Sequence, residues 1–295
     1  MGGRSPRFIP VDDLDDPQLE PYRDQRDQWL RARHRYWMEG RDAPEGATAT
    51  GMPESPGFPD GLFMAEGVNV VRQLVRSPHR TLSVLVSEPR VPAFAEVFAE
   101  LPEGVPVFVA PRDRIDRLTG FEVHRGLLAC GARTGAADWR QVAASAGMAV
   151  VLEDLANHDN VGGVFRSVRA LAAPRAGVAH PACVLLTPRC CDPLYRKALR
   201  VSMGNALHVP FATVAPWPAA LAALSKSGFV PVALDPGAGH PEVAEVAARF
   251  GPGGARPALV LGTEGPGLRR GTLDAVRASD GVVARLAIDP AADSL

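Results

Sequence analysis

Three short segments carry residue types and spacings that could do chemistry. The first runs Glu153-Asp154-Leu155-Ala156-Asn157-His158-Asp159-Asn160-Val161-Gly162-Gly163-Val164-Phe165-Arg166, with Arg169 three residues further on. Two Asn, two Gly and an Arg follow directly on the apolar run ending at Leu152. Asn160 is placed to cap a helix starting at Val161, and the glycines permit close backbone approach. The second, Gly262-Thr263-Glu264-Gly265-Pro266-Gly267-Leu268, packs three glycines and a proline around one carboxylate, which forces a sharp turn. It is not the G-x-G-x-x-G dinucleotide fingerprint, because its spacing differs and no helix begins at once to receive a pyrophosphate. The third, Arg285–Leu295, runs a strand into small residues and ends on Ser294-Leu295. Taken singly, the first also reads as a capped helix with solvent-facing arginines and the second as a plain turn.

The elements that must position these loops follow from apolar periodicity. Ala149–Leu152, Cys183–Leu186, Phe229–Leu234, Ala258–Leu261 and Gly281–Ala287 read as strands, with Leu207–Val209 as a further candidate. Helices are expected at Val161–Ala172, Pro193–Val201, Pro218–Ser227, Pro241–Phe250 and within Gly271–Ala278. Near-continuous apolar strands alternating with helices define an α/β fold, a doubly wound parallel sheet covered on both faces. Ligands of such a sheet sit beyond the carboxyl ends of its strands, where all three segments fall. Upstream, 62–131 reads as a smaller α/β unit, with a helix at Glu66–Arg76, strands at Leu82–Val86, Val105–Val109 and Gly126–Cys130, and helices at Val91–Leu101 and Arg112–Leu118. Residues 132–138 form a linker to a domain over 139–295. Residues 1–61 read as an extension, a helix over 17–40 and then a Gly/Pro-rich loop.

In order and context the three segments resemble the motifs of the SpoU–TrmH family of RNA ribose 2′-O-methyltransferases, within the SPOUT superfamily. Asn157, Asn160, Gly162 and Arg166 resemble N-x-x-N-x-G-x-x-x-R, and Gly262–Leu268 is similar to G-x-E-G-x-G-L. Leu286 with Ser294-Leu295 resembles I-P-M…S-L-N. Asp192–Lys197 with Ser202-Met203-Gly204 resembles the connector before the knot. Phe63–Gly67 and His124–Ala129 resemble the substrate-binding domain of the rRNA-modifying branch. The resemblance implies a trefoil-knotted domain that binds S-adenosylmethionine, acts as a homodimer, and methylates a ribose 2′-hydroxyl, in ribosomal rather than transfer RNA. It implies Arg166, Asn160, Glu264 and Ser294 as the catalytic set, with Arg166 central. The cofactor would be gripped by backbone around Leu234, Gly262, Leu286 and Leu295. The family pattern continues past Ser-Leu with an Asn, so the natural chain is expected to extend beyond Leu295.

Composition bounds the partner. The 295 residues include 32 Lys+Arg and 33 Asp+Glu, a formal net charge of −1 that excludes a uniformly basic nucleic-acid coat. The basic charge is local. Between Val161 and Gly204, Arg166, Arg169, Arg175, Arg189, Arg196, Lys197 and Arg200 stand against Asp192 alone, a net +6. Arg169, Arg196, Lys197 and Arg200 are the candidate RNA contacts, since phosphate recognition needs such a patch. His158 and His124 are read as non-catalytic, and Cys190 and Cys191 as packing. The four cysteines form no C-x-x-C pair and no zinc spacing, so no metal is expected and the compartment reads as reducing and cytoplasmic. No apolar run reaches the roughly 18 residues that span a bilayer. Two competing functions remain: a catalytically silent RNA-binding or ribosome-assembly factor on the same fold, and a small-molecule enzyme on a nucleotide-binding sheet.

Overall fold

A computed structural model describes residues 6–23, 61–123, 126–237, 239–250 and 254–286. They fall into two units, 1–135 with 193–208, and 136–192 with 209–295.

Among the described residues the first unit is built on five strands: β1 (Arg7–Pro10), β2 (Leu62–Glu66), β3 (Thr81–Ser87), β4 (Pro106–Ala110) and β5 (Leu127–Ala132). Their order is β1-β4-β3-β5-β2. β4 pairs in parallel with β1 and β3, while β5 runs antiparallel to β3 and β2. Helix α1 (Val68–Val75) buries Val70, Val71 and Leu74 at helical spacing. The region expected to be one helix over Val91–Leu101 is broken by Pro92 into a 3-10 turn (Pro92–Phe94) and the short α2 (Ala95–Ala99). Helix α3 (Arg112–Thr119) ends on Gly120 in the left-handed conformation.

The opening of the chain contributes to this unit. β1 adds an edge strand, and Pro17–Tyr22 forms a 3-10 helix that sends Leu19 and Tyr22 into the core. The Tyr22 hydroxyl, fully buried, pairs with Ser83 Oγ at 2.8 Å, so its polar end is satisfied. The expected helix over 17–40 is thus a 3-10 turn as far as Tyr22, and 24–60 lie outside the described residues.

Among the described residues the second unit holds six strands, all parallel: β6 (Ala149–Leu152), β7 (Cys183–Leu186), β8 (Phe211–Thr213), β9 (Phe229–Leu234), β10 (Arg256–Leu261) and β11 (Val282–Ala284), in the order β11-β9-β10-β6-β7-β8. Every residue of β6 and β7 is buried, which accounts for their unbroken apolar sequence. The helices are α4 (Trp139–Ala144), α5 (His158–Leu171), α7 (Ala220–Lys226), α8 (Val243–Ala247) and α9 (Arg270–Ala278). Trp139, Leu221, Leu224 and Val276 from three of these helices join strand residues in one core. Phe165 of α5 is fully buried, edge-on to Phe211 at 5.6 Å, a burial worth about 2–3 kcal/mol.

The candidate strand at Leu207–Val209 is instead the end of a 3-10 turn (Asn205–Leu207), and the strand comes later, as β8. Pro210 has no N–H to give a ladder; its carbonyl accepts from Val184 N at 2.9 Å, and pairing starts beyond it.

From β6 the chain steps outward to β7 and β8, and on the other side β10 lies against β6 with β9 and β11 beyond. The connections after β6 and after β10 therefore leave in opposite directions. The crevice at their carboxyl ends is the switch point at which such sheets bind ligands. The knotted path expected of the family involves the chain after Leu286, and 287–295 lie outside the described residues.

Candidate active site

Glu153, the first residue after β6, continues the ladder by donating its N–H to Leu261 O at 2.8 Å. Its side chain is 2% exposed yet fully engaged. It accepts from the Trp217 indole, from Arg269 N at 2.8 Å and from the Thr272 hydroxyl, with Arg269 Nε 3.4 Å away. Helix α9 has no cap from its own side chains, so Glu153 supplies one from the neighbouring strand. A carboxylate at a helix N-terminus is also favoured by the helix dipole. This contact ties the loop after β6 to the loop after β10.

Asp154 follows with φ 58°, a left-handed conformation uncommon outside glycine. The conformation is held from both sides: Asp154 N donates to Thr187 Oγ1 at 2.9 Å, and Thr187 Oγ1 donates back to Asp154 Oδ1 at 2.8 Å. Arg189 bonds Oδ2 directly, and Arg269 Nη2 stands 3.6 Å from the same oxygen. The Arg189 guanidinium, aided by the Thr187 hydroxyl and the Arg269 charge, holds the Asp154 carboxyl below the usual carboxylate range despite partial burial. Burial pushes the neighbouring Cys190 thiol up, away from nucleophilic form.

The helix of the first motif starts earlier than its sequence suggested. α5 begins at His158, and its cap is Asn157, whose Oδ1 accepts from Asp159 N at 2.8 Å. Asn160 is therefore not the cap but a residue of the first turn. Its Nδ2 donates to Glu264 Oε1 at 2.9 Å, joining two motifs 104 residues apart. Arg166 and Arg169 fall in later turns of α5, both exposed, and neither side chain forms a hydrogen bond or ion pair with any described residue.

In the second motif, Gly267 N donates to Thr263 O at 3.1 Å, closing the turn that presents Glu264. Gly262 cannot carry a side chain: a Cβ there would lie 2.4 Å from the backbone carbon of Gly267. The loop folds back on itself, which explains the glycine without reference to any ligand.

Leu234 ends β9, half-buried, and Leu286 stands just past β11, 60% exposed. Asp235 N donates to Ala284 O at 2.9 Å, and Arg285 pairs with Glu242 at 2.8 Å, so these two strand ends are fixed side by side. Ser294 and Leu295, like His124, lie outside the described residues.

The candidate RNA contacts separate. Arg169 belongs to the second unit. Arg196, Lys197 and Arg200 belong to α6 (Arg196–Val201), which groups with the first unit although it lies between β7 and β8 in sequence. Within that unit Arg196 is 13% exposed, 3.5 Å from the buried Glu66 and stacked on the Phe121 ring at 3.7 Å. Arg196 is thus turned inward, with little surface to offer a phosphate. Arg200, 47% exposed, also reaches Glu66 at 3.2 Å, and Lys197 is exposed. Gly204 beyond α6 has φ 79°, and a Cβ there would meet Gln73 of α1 at 2.6 Å. Sequence reasoning missed Glu153, Asp154, Arg189 and Arg269 as parts of the site. The available signal was two carboxylates directly after a fully apolar strand, where burial requires partners. Among the described residues no His, Cys, Asp or Glu group is arranged to hold a metal ion, and no helix is long and apolar enough to cross a membrane.

A parallel sheet whose switch-point loops join through Asn160, Glu264 and Glu153 defines an α/β protein with a ligand crevice of the doubly wound kind. Residues 147–295 match the SpoU rRNA Methylase family, and the chain belongs to that family of RNA methyltransferases. It is 34% identical over 287 residues, 97% of this chain and 86% of the other, to a Mycobacterium tuberculosis protein described as an uncharacterized tRNA/rRNA methyltransferase. In structure it is similar to an AdoMet-bound rRNA methyltransferase from Sinorhizobium meliloti, with TM-score 0.64 and 19% identity over 98% of this chain and 92% of that one. It is also similar to an RNA 2′-O ribose methyltransferase, with TM-score 0.62 and 19% identity over the same shares. At those identities the two structures speak for the fold.

Proposed function

We propose that this chain transfers a methyl group from S-adenosylmethionine to a ribose 2′-hydroxyl of RNA, with ribosomal RNA as the substrate. The observation that carries the reading is the 2.9 Å contact between Asn160 and Glu264 at the switch point, where the first two motifs meet. Support comes from the family, from the solved relative described as AdoMet-bound and from the one described as acting on the ribose 2′-oxygen. The cofactor fits the strand ends: Leu234 ends β9, and Gly262 and Leu286 stand just past the ends of β10 and β11, offering backbone groups and two apolar side chains. When bound, S-adenosylmethionine supplies an electrophilic methyl group.

The chain must then hold the ribose oxygen in line with that methyl and accommodate the proton the hydroxyl sheds. A guanidinium stays protonated and is a poor base, so Arg166 acts by stabilising charge developing on the 2′-oxygen or the adjacent phosphate. Asn160 and Glu264 orient the ribose, and the family resemblance adds Ser294 to the set. The protein works as a knotted homodimer, as the family resemblance implies, in the reducing cytoplasm to which its cysteine usage points.

The test is transfer of labelled methyl from S-adenosylmethionine to ribosomal and transfer RNA, followed by mapping of the modified nucleotide. A 2′-O-methyl in ribosomal RNA is the expected product. Transfer to neither RNA, with S-adenosylmethionine still bound, would leave the silent RNA-binding factor as the reading. Arg166→Ala is expected to lose transfer while keeping cofactor affinity, and full transfer by that variant would overturn its role.

A further inference from the structure

We propose that Arg189 and Arg269 form a two-guanidinium fork that binds a backbone phosphate of the RNA beside the methyl-transfer site, with Asp154 as the residue that positions both. The proposal rests on the RNA reading above and adds to it a site that the family motifs do not name.

The two arginines come from different loops, after β7 and after β10, and converge on one oxygen. Arg189 Nη2 bonds Asp154 Oδ2, and Arg269 Nη2 lies 3.6 Å from it. The charges are layered. The side chain of Glu153 is 2% exposed and that of Asp154 15%, whereas Arg189 is 69% exposed and Arg269 48%. Negative charge therefore lies beneath and positive charge faces solvent.

Each guanidinium spends only part of its donor fork on the carboxylates. Arg189 engages Asp154 through Nη2, leaving Nε and Nη1 without a hydrogen bond to any described residue. A planar fork with fixed orientation suits the tetrahedral oxygens of a phosphate, and pinning it from behind lowers the entropy lost on binding. Asp154 is itself rigid: its φ of 58° and the reciprocal hydrogen bonds to Thr187 hold it in place.

The position gives the fork its meaning. Asp154 lies in the same loop as Asn157, the cap of α5, and three residues before it. Arg269 lies five residues after Glu264, at the start of α9. A ribose held at Asn160 and Glu264 has a phosphate on either side, and a cationic pair anchored on Asp154 of the loop before Asn160, with Arg269 on the loop that carries Glu264, can hold one of them. Unlike Arg196, which packs inward in the first unit, this pair is open to solvent.

The experiment compares wild type, Arg189→Ala, Arg269→Ala and Arg189→Gln in methyl transfer and in filter binding to ribosomal RNA across 50–300 mM salt. Each alanine variant is expected to raise KM for RNA about ten- to thirtyfold, the scale of one lost charge-assisted contact, with kcat little changed. The salt dependence of binding should flatten by about 0.7–0.9 in log–log slope per lost phosphate contact. Calorimetric affinity for S-adenosylmethionine should not move. Arg189→Gln, which keeps a donor but no charge, should flatten the slope as alanine does, and it guards against misfolding of one variant.

Unchanged KM and slope in folded variants, with transfer intact, would overturn the fork and leave the function standing. RNA binding by wild type with no methyl transfer would overturn the function, while the slopes would still decide the fork. A wild type that does not bind RNA would overturn both.

Discussion

Replacing Glu153 by alanine tests whether the two site loops stand on one buried carboxylate. The side chain is 2% exposed and serves three donors: the Trp217 indole, Arg269 N and the Thr272 hydroxyl. Alanine removes all three partners at once and deprives α9 of its borrowed cap. A buried donor left unmade costs about 1–3 kcal/mol; the Thr272 hydroxyl can rotate toward another acceptor, so the lower end applies to it. The Arg269 guanidinium, half exposed, adds little because water replaces its partner. The expected loss is therefore about 3–5 kcal/mol, matching the general cost of breaking a buried charged network. For a unit of this size that lowers the melting temperature by about 6–20 °C. Glu153→Gln keeps one acceptor oxygen but turns an amide toward donors, and should lose about half as much. The assay is urea unfolding followed by both tryptophan fluorescence and circular dichroism, because two units need not unfold together. Hydrogen exchange over 270–278 localises the effect, with faster exchange expected in the first turn of α9. A loss below about 1 kcal/mol for the alanine variant, or unchanged exchange there, would refute the reasoning.

Three further outcomes follow from single contacts. Gly262→Ala places a Cβ 2.4 Å from Gly267 backbone, so the loop must open; calorimetry should show weakened S-adenosylmethionine binding, and overpacking should cost about 1–3 kcal/mol. Because the Arg189 hydrogen bond depresses the pKa of Asp154 in the folded protein, its stabilising contribution is present above the unfolded value of about 3.9 and is lost as pH falls through the folded one. Asp154→Asn should therefore be less stable than wild type at neutral pH, with the difference closing below about pH 4, read by chemical denaturation across pH. Burial pushes the Cys130 and Cys183 thiols up to about 12, so iodoacetamide at pH 8 should label neither in the native protein and both after unfolding.

The second unit was more legible than the first. Its strands β6, β7, β9 and β10 read directly because a parallel sheet covered on both faces demands unbroken apolar runs. The opening strand β1, Arg-Phe-Ile-Pro, was not legible: four residues at a sheet edge, mostly exposed, leave no alternation to detect. β2 was missed for a related reason. Leu-Phe-Met-Ala-Glu has no period of two, since both faces of that strand are covered and even Glu66 is buried.

The motifs were identified from residue type and spacing, and their partners were not. Asn160 stood as a helix cap because Asn before an apolar run is the common signal. The structure gives that task to Asn157 and sends Asn160 to Glu264, a choice made by the adjacency of β6 and β10. Glu153 and Asp154 carried a warning, being carboxylates against a fully buried strand. Their partners, Arg189, Thr187, Trp217, Arg269 and Thr272, lie 33 to 119 residues away, beyond the reach of any local pattern.

By itself the sequence determined an alternating α/β chain, the strand-end position of the candidate chemistry and the local basic charge hidden in a net of −1. These are properties of residue type and short period, which neighbours in the chain express without help. The tertiary structure decided which loops meet at the switch point, which carboxylate caps which helix, and that Arg196 turns inward to Glu66 while Arg189 faces solvent. The physical reason is that burial and charge pairing are set by strand order and packing, which bring together residues far apart in the chain.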